Sequence, residues 1–353
     1  MVDFMENYRP LKKDVWQGRV DDPEDKDSFR WHQVVKPIDL SNPAGKIMAI
    51  FPEAAQKKKQ PQGIGPENRG FCFLGFCCDE GVKRNPGRAG AARAPIMIRR
   101  EMSNFPHIFP GGTGIYDAGD IHCTDKNLEL AQAALSGVVQ KIVSLNLFPV
   151  LLGGGHEIAY GHFKGIKEAM SKIPGMEDRQ IGIVNFDAHF DLRPYDKGAN
   201  SGTIFLQIAD LCRAENRKFS YFCLGIHKYC NTLRLFKTAD QLGVRYIMAK
   251  DMGEENTAEN LGQLDDFLQN QDMVYLTICA DVFSSAYAPG VSSPQPFGLF
   301  PETVLIYLKH VIRSGKVIGF DIAEVSPRFD EDNRTARLAA IVIFALINTM
   351  LSQ

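Results

Sequence analysis

The chain has 353 residues, of which 44% are hydrophobic and 23% are charged, so it has ample material for a core and lacks the composition of a disordered protein. Its formal net charge of -2 provides no broad basic surface, which argues against a nucleic-acid partner. The length allows one large α/β domain or two smaller ones.

Residues 1–69 are predicted to form an N-terminal extension, because they carry few periodic apolar signals. Within it, residues 54–70 are rich in Lys, Gln, Pro and Gly, as an exposed loop would be. The chain starts without an apolar segment of the kind that directs export. Its eight cysteines are scattered through apparent strands without regular spacing, which predicts a reduced, cytoplasmic protein.

From Gly70 onward, short apolar runs alternate with longer segments of helical period. The predicted strands are "GFCFLGF", "FPVLLGG", "IGIVNFD", "SYFCLGI", "VRYIM", "MVYLTICAD" and "VIGFDIAEV". This alternation predicts a single α/β domain over residues 70–353, a three-layer α/β/α sandwich around a mostly parallel sheet; a closed eightfold barrel is the alternative. The apolar stretch at residues 338–351 is too short to span a bilayer and predicts a buried closing helix, so no membrane partner is expected.

Four predicted strands end in polar residues, at the edge where an open parallel sheet forms its binding crevice. These residues are His156; Asp187, His189 and Asp191; Cys279 and Asp281; and Asp321 and Glu324. Asp187, His189 and Asp191 alternate, so in an extended backbone all three side chains project from one face. Carboxylates and an imidazole at the end of a buried strand need a compensating cation, which favours a metal site.

Each feature also has a purely structural interpretation. The three glycines before His156 could form a turn or cradle a phosphate, although the Lys-Ser/Thr pair of a phosphate loop does not follow them. His156 alone would be a hydrogen-bonded structural histidine. Glu324 could form an internal ion pair with Arg328 or Arg334, and the Asp-His-Asp triplet could cap helices.

Together the candidates offer two imidazoles and at least three carboxylates. Such a set suits Mn²⁺ and, less specifically, Fe²⁺, Co²⁺ or Zn²⁺, while more than four ligands argue against a single tetrahedral zinc. Carboxylates that bridge two ions about 3.5–4 Å apart would use the whole set, and two ions lower the pKa of a shared water enough to form hydroxide near neutral pH. The predicted chemistry is therefore hydrolysis.

The ordered motifs "GGGHE", "NFDAHFD", "CADVFSSAYAPGVSSPQP" and "DIAEVSPRFDEDNRTARLAA" resemble those of the ureohydrolase superfamily, the arginases and agmatinases. The resemblance runs from about Gly70 to the C-terminus. Within the superfamily, "DEGVKRNPGRAGAARAP" at residues 79–95 and "LRPYDKGANSGTIFLQI" look most like formimidoylglutamases. The resemblance implies an arginase-like sandwich, a homo-oligomer that is a trimer or hexamer, and a small amidine substrate.

By resemblance, the residues that match the family's ligands for two Mn²⁺ ions are His156, Asp187, His189, Asp191 and Asp281. Asp187 and Asp191 are among the carboxylates expected to bridge the ions or orient water. Glu324 matches the acidic residue that accepts hydrogen bonds from amidine or guanidine nitrogens.

Two positions depart from the family pattern. Cys279 stands where the family usually has a carboxylate ligand, and because soft sulfur is not a usual Mn²⁺ ligand, one ion is expected to bind weakly unless a thiolate holds it. Oxidation of Cys279 could then abolish binding; the alternative is that Cys279 merely packs. Asn200 stands where arginases and agmatinases have a histidine that shuttles protons, which fits formimidoylglutamases better.

The implied reaction is hydrolysis of N-formimidoyl-L-glutamate to L-glutamate and formamide, a step of histidine degradation. Hydroxide formed between the ions would attack the amidine carbon, Asp191 would take up its proton, and Glu324 would hold the cationic amidinium through charge-assisted hydrogen bonds. The alternatives are an arginase- or agmatinase-like hydrolase of another guanidine or amidine, and a metal-impaired, non-catalytic binding member, which Cys279 motivates.

The two substrate carboxylates call for cationic or amide donors near the ions. Arg193 is the leading candidate because its planar fork matches a carboxylate, although it could instead form a surface or inter-subunit ion pair. The further candidates for substrate binding are Asn200, Ser201 and Asn231.

Overall fold

The computed structural model describes residues 5–12, 14–41, 70–110 and 112–352. In these residues the strands are β1 (Tyr8–Arg9), β2 (Lys36–Pro37), β3 (Gly70–Cys77), β4 (Ile115–His122), β5 (Leu147–Leu152), β6 (Ile181–Phe186), β7 (Tyr221–Ile226), β8 (Arg245–Met248), β9 (Met273–Cys279) and β10 (Val317–Ala323). The α-helices are α1 (Trp31–Val34), α2 (Glu80–Arg84), α3 (Ala94–Met102), α4 (Leu128–Ser144), α5 (Ile158–Met170), α6 (Ile204–Ala214), α7 (Leu233–Gln241), α8 (Thr257–Gln269), α9 (Pro301–Arg313) and α10 (Arg334–Leu351).

All these strands belong to one open sheet in the order β1-β4-β3-β5-β10-β9-β6-β7-β8, with β2 also paired to β4. The pairings are parallel apart from that of β1 with β4. The side chains of β3 alternate between two hydrophobic clusters on opposite faces of the sheet. Phe71 and Phe73 lie in the cluster that contains residues of α9 and α10. Cys72 and Leu74 lie in the cluster that contains residues of α4 and α5. Helices therefore cover both faces, and the predicted three-layer sandwich is confirmed.

Strand β4 is absent from the predicted strands, because its sequence, "IYDAGDIH", contains two aspartates. Arg99 of α3 compensates both charges. Its Nε and Nη2 donate to Oδ2 and Oδ1 of Asp117 at 2.7 and 2.9 Å, and its Nη1 donates to Oδ1 of Asp120 at 2.6 Å. Arg99 and Asp117 are both buried. A paired, hydrogen-bonded charge thus permits an acidic residue inside the sheet.

The described part of the N-terminal extension packs onto the domain. β1 extends the sheet at its β4 edge. The fully buried ring of Trp31 stacks on Phe73 of β3 and on Phe344 of α10, with ring centroids 5.9 and 6.0 Å apart. Of the predicted loop at residues 54–70, only Gly70 lies among the described residues, and it begins β3.

Helix α10 is long and apolar enough to cross a membrane when judged by its 18 residues and mean hydropathy of 1.5 alone, but 56% of it is buried inside the protein. Its side chains Ala339, Ile343 and Leu346 lie in the same hydrophobic cluster as residues of α3 and α9. The helix therefore closes the core, as predicted from residues 338–351, and it begins four residues before that stretch, at Arg334.

Candidate metal centre

The candidate site lies at the carboxyl ends of four strands that are neighbours in the middle of the sheet: β5, β10, β9 and β6. The predicted site residues are His156 after β5, Glu324 after β10, Cys279 and Asp281 at the end of β9, and Asp187, His189 and Asp191 after β6. Because parallel strands end at the same edge, the sheet brings together groups as distant in sequence as His156 and Glu324.

The three glycines before His156 allow the backbone to pack closely against two neighbouring strand ends. Gly153 N–H donates to the Ile322 carbonyl at 2.7 Å, and Gly155 N–H donates to the Cys78 carbonyl at 2.9 Å. A Cβ atom on Gly154 would lie only 2.0 Å from that Cys78 oxygen. The glycines are therefore needed for close approach, and two of their amides have protein partners, which argues against a phosphate cradle.

The Asp-His-Asp triplet lies on a loop, and the predicted extended geometry is wrong. β6 ends at Phe186, and the loop curls because His189 N–H donates to Oδ1 of Asp187 at 2.7 Å. Asp191 has a φ of 50°, in the left-handed region that residues other than glycine rarely adopt. Strained backbone of this kind concentrates at functional sites. The three side chains thus converge because the loop turns, and not because they alternate along an extended strand.

Each of the two imidazoles faces two carboxylates through its Nδ1 atom. Nδ1 of His156 lies 3.0 Å from Oδ2 of Asp187 and 3.0 Å from Oδ2 of Asp191. Nδ1 of His189 lies 3.1 Å from Oδ2 of Asp281 and 3.4 Å from Oδ1 of Asp187. Asp187 therefore connects two groups of donors through its two oxygens.

A buried hydrogen-bond chain fixes the tautomer of His156. The Thr277 hydroxyl donates its single proton to Oδ1 of Asp321 at 2.5 Å, so the hydroxyl oxygen must accept at the 3.1 Å contact with Nε2 of His156. The Nε2 atom therefore carries the proton, and Nδ1 is left as the nitrogen that can bind a metal. Oδ2 of Asp321 accepts from Tyr275 at 2.5 Å and contacts Nδ1 of His162 at 2.6 Å, which holds this aspartate in place.

Glu324 presents a carboxylate oxygen without a hydrogen-bond partner. Its Oε1 accepts the His156 backbone N–H at 2.9 Å, while its Oε2 is buried and has no hydrogen-bond partner in the described part of the chain. The alternative ion pairs do not form among the described residues: Arg334 pairs with Glu331, and Arg328 stacks on Phe329. Glu324 has a φ of 65°, so its backbone, like that of Asp191, is in the left-handed region.

The donor atoms fit two divalent cations. One group comprises His156, Asp187 and Cys279, the other Asp187, His189 and Asp281, and in each group the ligand atoms lie within 4.8 Å of one another. Asp281 Oδ1 is also buried and finds no hydrogen-bond partner in residues 5–12, 14–41, 70–110 and 112–352, as expected of an atom that is directed at a cation. The thiol of Cys279 thus lies close enough to His156 and Asp187 to belong to the same group of donors.

Burial and mutual charge shift the pKa values in this cluster. Burial disfavours the imidazolium of His156 and of His189, but the facing carboxylates outweigh it, so the pKa of each imidazole lies well above its usual value. Burial, assisted by the charge of Asp187, raises the pKa of Asp191 to about 6. Burial also raises the pKa of the Cys279 thiol. Protons on these groups therefore compete with a metal cation.

A cavity of about 290 Å³ opens onto the cluster. Of the predicted site residues, those that line it are His156, His189, Asp191, Cys279, Asp281, Glu324, Arg193, Ser201 and Asn231. Asp187 lies beneath them, fully buried. Asn200 differs from the prediction because it does not line the cavity, and its Oδ1 accepts the Gly202 N–H at 2.9 Å, which stabilises its own loop.

Asn231 lines the cavity, but its amide is engaged by the protein. Its Nδ2 donates to the carbonyls of Ala188 and His227 at 2.9 and 2.8 Å, and its Oδ1 accepts the Phe190 N–H at 3.1 Å. The contact of Asn231 with the triplet loop therefore supports the metal ligands, and no amide group of this side chain is left for a substrate carboxylate.

Several lining residues were not predicted from the sequence. They are Asn85 and Arg88 on the loop after α2, and Ser292 and Ser293 on the loop between β9 and α9. Neither pair follows a strand directly, so polar residues at strand ends do not point to them. Asn85 and Arg88 lie within the "DEGVKRNPGRAGAARAP" motif, and Ser292 and Ser293 lie within "CADVFSSAYAPGVSSPQP"; these motifs are the signal that could have identified them.

Comparison with known proteins agrees with this geometry. The chain is 48% identical to a formimidoylglutamase from Clostridium tetani over 98% of its own length and 96% of that protein, and 40% identical to one from Geobacillus sp. over 94% of both chains. A crystal structure of a formiminoglutamase from Trypanosoma cruzi with a pair of Mn²⁺ ions has a similar fold, with a TM-score of 0.70 at 22% identity, over 84% of this chain and 97% of that chain.

The family model described as the arginase family matches residues 69–348, which include all the residues of the candidate metal centre. The resemblance drawn from the four sequence motifs is thereby confirmed. The chain belongs to the arginase family.

Proposed function

We propose that the chain is a dinuclear manganese hydrolase that converts N-formimidoyl-L-glutamate and water into L-glutamate and formamide, a step of histidine degradation. The observation that carries this proposal is the pair of donor groups joined by Asp187 next to the cavity. The 48% identity to the Clostridium tetani formimidoylglutamase supports the substrate, and the Mn²⁺ pair of the Trypanosoma cruzi protein supports the metal.

The metal ligands divide into two sets that share Asp187. His156 and Asp191, with Cys279 nearby, would hold one ion, and His189 and Asp281 would hold the other. When bound, two divalent cations lower the pKa of a shared water, so that hydroxide is available near neutral pH.

The chain's own side chains bind the substrate and move its protons. Glu324 Oε2 has no partner among the residues that the structure describes, and it accepts hydrogen bonds from the amidinium N–H groups, which places the amidine carbon over the cluster. Asp191 lines the cavity and takes up the proton of the attacking water. The bond between the amidine carbon and the glutamate nitrogen then breaks, and that nitrogen leaves with a proton. Arg193 and Ser201 line the same cavity and bind the carboxylate end.

The identity of the product tests this proposal. The protein is purified with reductant, loaded with Mn²⁺ and incubated with N-formimidoyl-L-glutamate, L-arginine or agmatine. Release of formamide and glutamate from the first substrate, well above any release of urea from the others, is the expected result. Rapid release of urea with little formamide would contradict the proposal and indicate that the substrate is a guanidine.

A metal-impaired binding protein is the second candidate, and the position of Cys279 favours it. The thiol lies within 4.8 Å of ligand atoms of His156 and Asp187, where a harder ligand would suit Mn²⁺ better. A chain that binds two Mn²⁺ ions but hydrolyses none of the three substrates would support this candidate.

We also propose a reducing cytoplasmic location and assembly into a trimer or hexamer. All eight cysteines are free thiols in the structure, which supports the first proposal. The proposed trimer or hexamer rests only on the resemblance to the superfamily, and light scattering of the purified protein tests it.

A further inference from the structure

Two arginine side chains, Arg88 and Arg193, line the cavity at its solvent side. Both residues are exposed, whereas the ligands of the cluster are largely buried. Neither arginine forms an ion pair with a carboxylate in the part of the chain that the structure describes. The other charged residues of the lining are the acidic and histidine side chains of the metal centre. The solvent side of the cavity therefore presents two positive charges that the protein leaves without a counter-charge.

Arg88 is held in place by neutral partners. Its Nε donates to the Ser292 carbonyl at 2.9 Å and its Nη2 to the Val291 carbonyl at 2.5 Å. Its guanidinium lies 4.3 Å from the centroid of the Phe329 ring, and its backbone N–H donates to the Ser292 hydroxyl at 2.8 Å. These contacts fix the side chain without cancelling its charge, so little conformational entropy is lost when an anion binds.

Arg193 differs, because no side-chain hydrogen bond holds it among the described residues. Its backbone N–H donates to the Gly202 carbonyl at 2.9 Å, which places it on the triplet loop two residues after Asp191. A Cβ on Gly202 would lie 2.9 Å from Cδ of Arg193, so the glycine leaves room for this side chain. The cavity thus combines one fixed guanidinium with one that is free to adjust.

We propose that Arg88 determines specificity for a dicarboxylate, by binding the side-chain carboxylate of the substrate while Arg193, on the triplet loop, binds the α-carboxylate next to the amidine. This inference rests on the proposed function and deepens it. An N-formimidoyl dicarboxylic amino acid carries one positive amidinium and two carboxylates, which match Glu324 and the two arginines respectively. L-Arginine has only one carboxylate, and agmatine has none, while both carry an additional ammonium that the arginines would repel. The same pair of charges therefore attracts one class of substrate and rejects the other.

An alternative role for Arg88 is to fasten the loop at Val291 and Ser292. The chain offers a matched control, because the guanidinium of Arg328 also lies over the Phe329 ring, at 5.4 Å, but lines a different cavity. Arg328→Gln removes a positive charge and a ring contact near Arg88 without changing the cavity of the metal centre. Arg88→Lys keeps the charge of Arg88 and loses its planar fork.

The test compares two substrates of the Mn²⁺-loaded protein: N-formimidoyl-L-glutamate and N-formimidoylglycine, which lacks the second carboxylate. Arg88→Gln is expected to raise KM for the glutamate derivative about 10- to 100-fold, the loss typical of a charge-assisted hydrogen bond. KM for the glycine derivative should stay within about threefold, Arg88→Lys should recover part of the loss, and Arg328→Gln should change neither constant. An equal rise in KM for both substrates, or an unchanged KM for the glutamate derivative, would overturn the assignment.

Binding of L-glutamate to the Mn²⁺-loaded protein, measured by calorimetry, separates this inference from the proposed reaction. A wild-type protein that releases no formamide would refute the reaction alone. The inference would then stand if Arg88→Gln weakens glutamate binding at least tenfold relative to Arg328→Gln. It would fall if wild type and Arg88→Gln bind glutamate equally, or if wild type does not bind it.

Discussion

Replacing Thr277 with valine removes the hydroxyl that orients His156 and leaves almost the same volume in the core. Thr277 is fully buried, donates to Asp321 at 2.5 Å and accepts from His156 at 3.1 Å. A metal binds the neutral imidazole, and without that acceptor the single proton of neutral His156 is free to move from Nε2 to Nδ1, where Asp187 and Asp191 lie 3.0 Å away. The imidazole would then present N–H to the metal position instead of a lone pair.

The magnitude follows from the two hydrogen bonds that are lost. Each buried polar group left without its partner costs about 1–3 kcal/mol, so with two such groups the free energy of unfolding of the metal-free protein should fall by about 2–6 kcal/mol. Partners in the second coordination shell typically change metal affinity about 10- to 100-fold, which is the expected weakening of Mn²⁺ binding. Urea denaturation measures the first quantity, and calorimetric titration with Mn²⁺ under reducing conditions measures the second.

Thr277→Ser is the matched control, because it keeps the hydroxyl and removes only a methyl group. Its Mn²⁺ affinity should stay within about threefold of wild type, since both hydrogen bonds can form. If Thr277→Val bound Mn²⁺ as tightly as wild type, the tautomer of His156 would not depend on this chain, and the reasoning would be refuted.

Three further substitutions test other parts of the structure. Cys279→Asp should tighten the weaker Mn²⁺ site about tenfold or more, because a hard carboxylate replaces sulfur; unchanged affinity and stoichiometry in the same titration would show that Cys279 only packs. Glu324→Gln should lower kcat at least tenfold at full manganese content, measured by metal analysis and formamide release, whereas a matching loss of metal would contradict its role in binding the amidinium. Trp31→Ala should lower the free energy of unfolding by about 3–5 kcal/mol in urea, because it removes a fully buried ring, and a loss below about 1 kcal/mol would contradict the packing of the N-terminal segment.

The sheet was predictable where strands are continuous apolar runs, as in "IGIVNF" and "VIGFDIA". β4 was not, because the compensation of its Asp117 by Arg99 arises only when α3 packs against the sheet. The packing of Trp31 was likewise not predictable, since an isolated aromatic residue in a segment without periodicity does not indicate which residues it contacts.

The convergence of the candidate metal ligands was predictable because the carboxyl ends of neighbouring parallel strands must meet, whatever the details of the loops. The local geometry of the triplet loop was not predictable, because the backbone of Asp191 is left-handed. A period-two sequence pattern describes only an extended strand. Arg88 was missed for a different reason. It follows a short helix rather than a strand, and the loop from Val291 to Ser292 that holds it is about 200 residues further along the chain.

The side chains of the centre are spread along the sequence from His156 to Glu324, and they lie at four separate strand ends. During synthesis, a nascent chain that has emerged only as far as the triplet loop after β6 possesses Asp187, which the two donor groups share, but lacks Cys279 and Asp281. This partial chain therefore contains an incomplete set of donors for divalent cations. The complete set of candidate donors therefore forms only after β9 and β10 have inserted between β6 and β5, so binding of cations to both donor groups would be a late event.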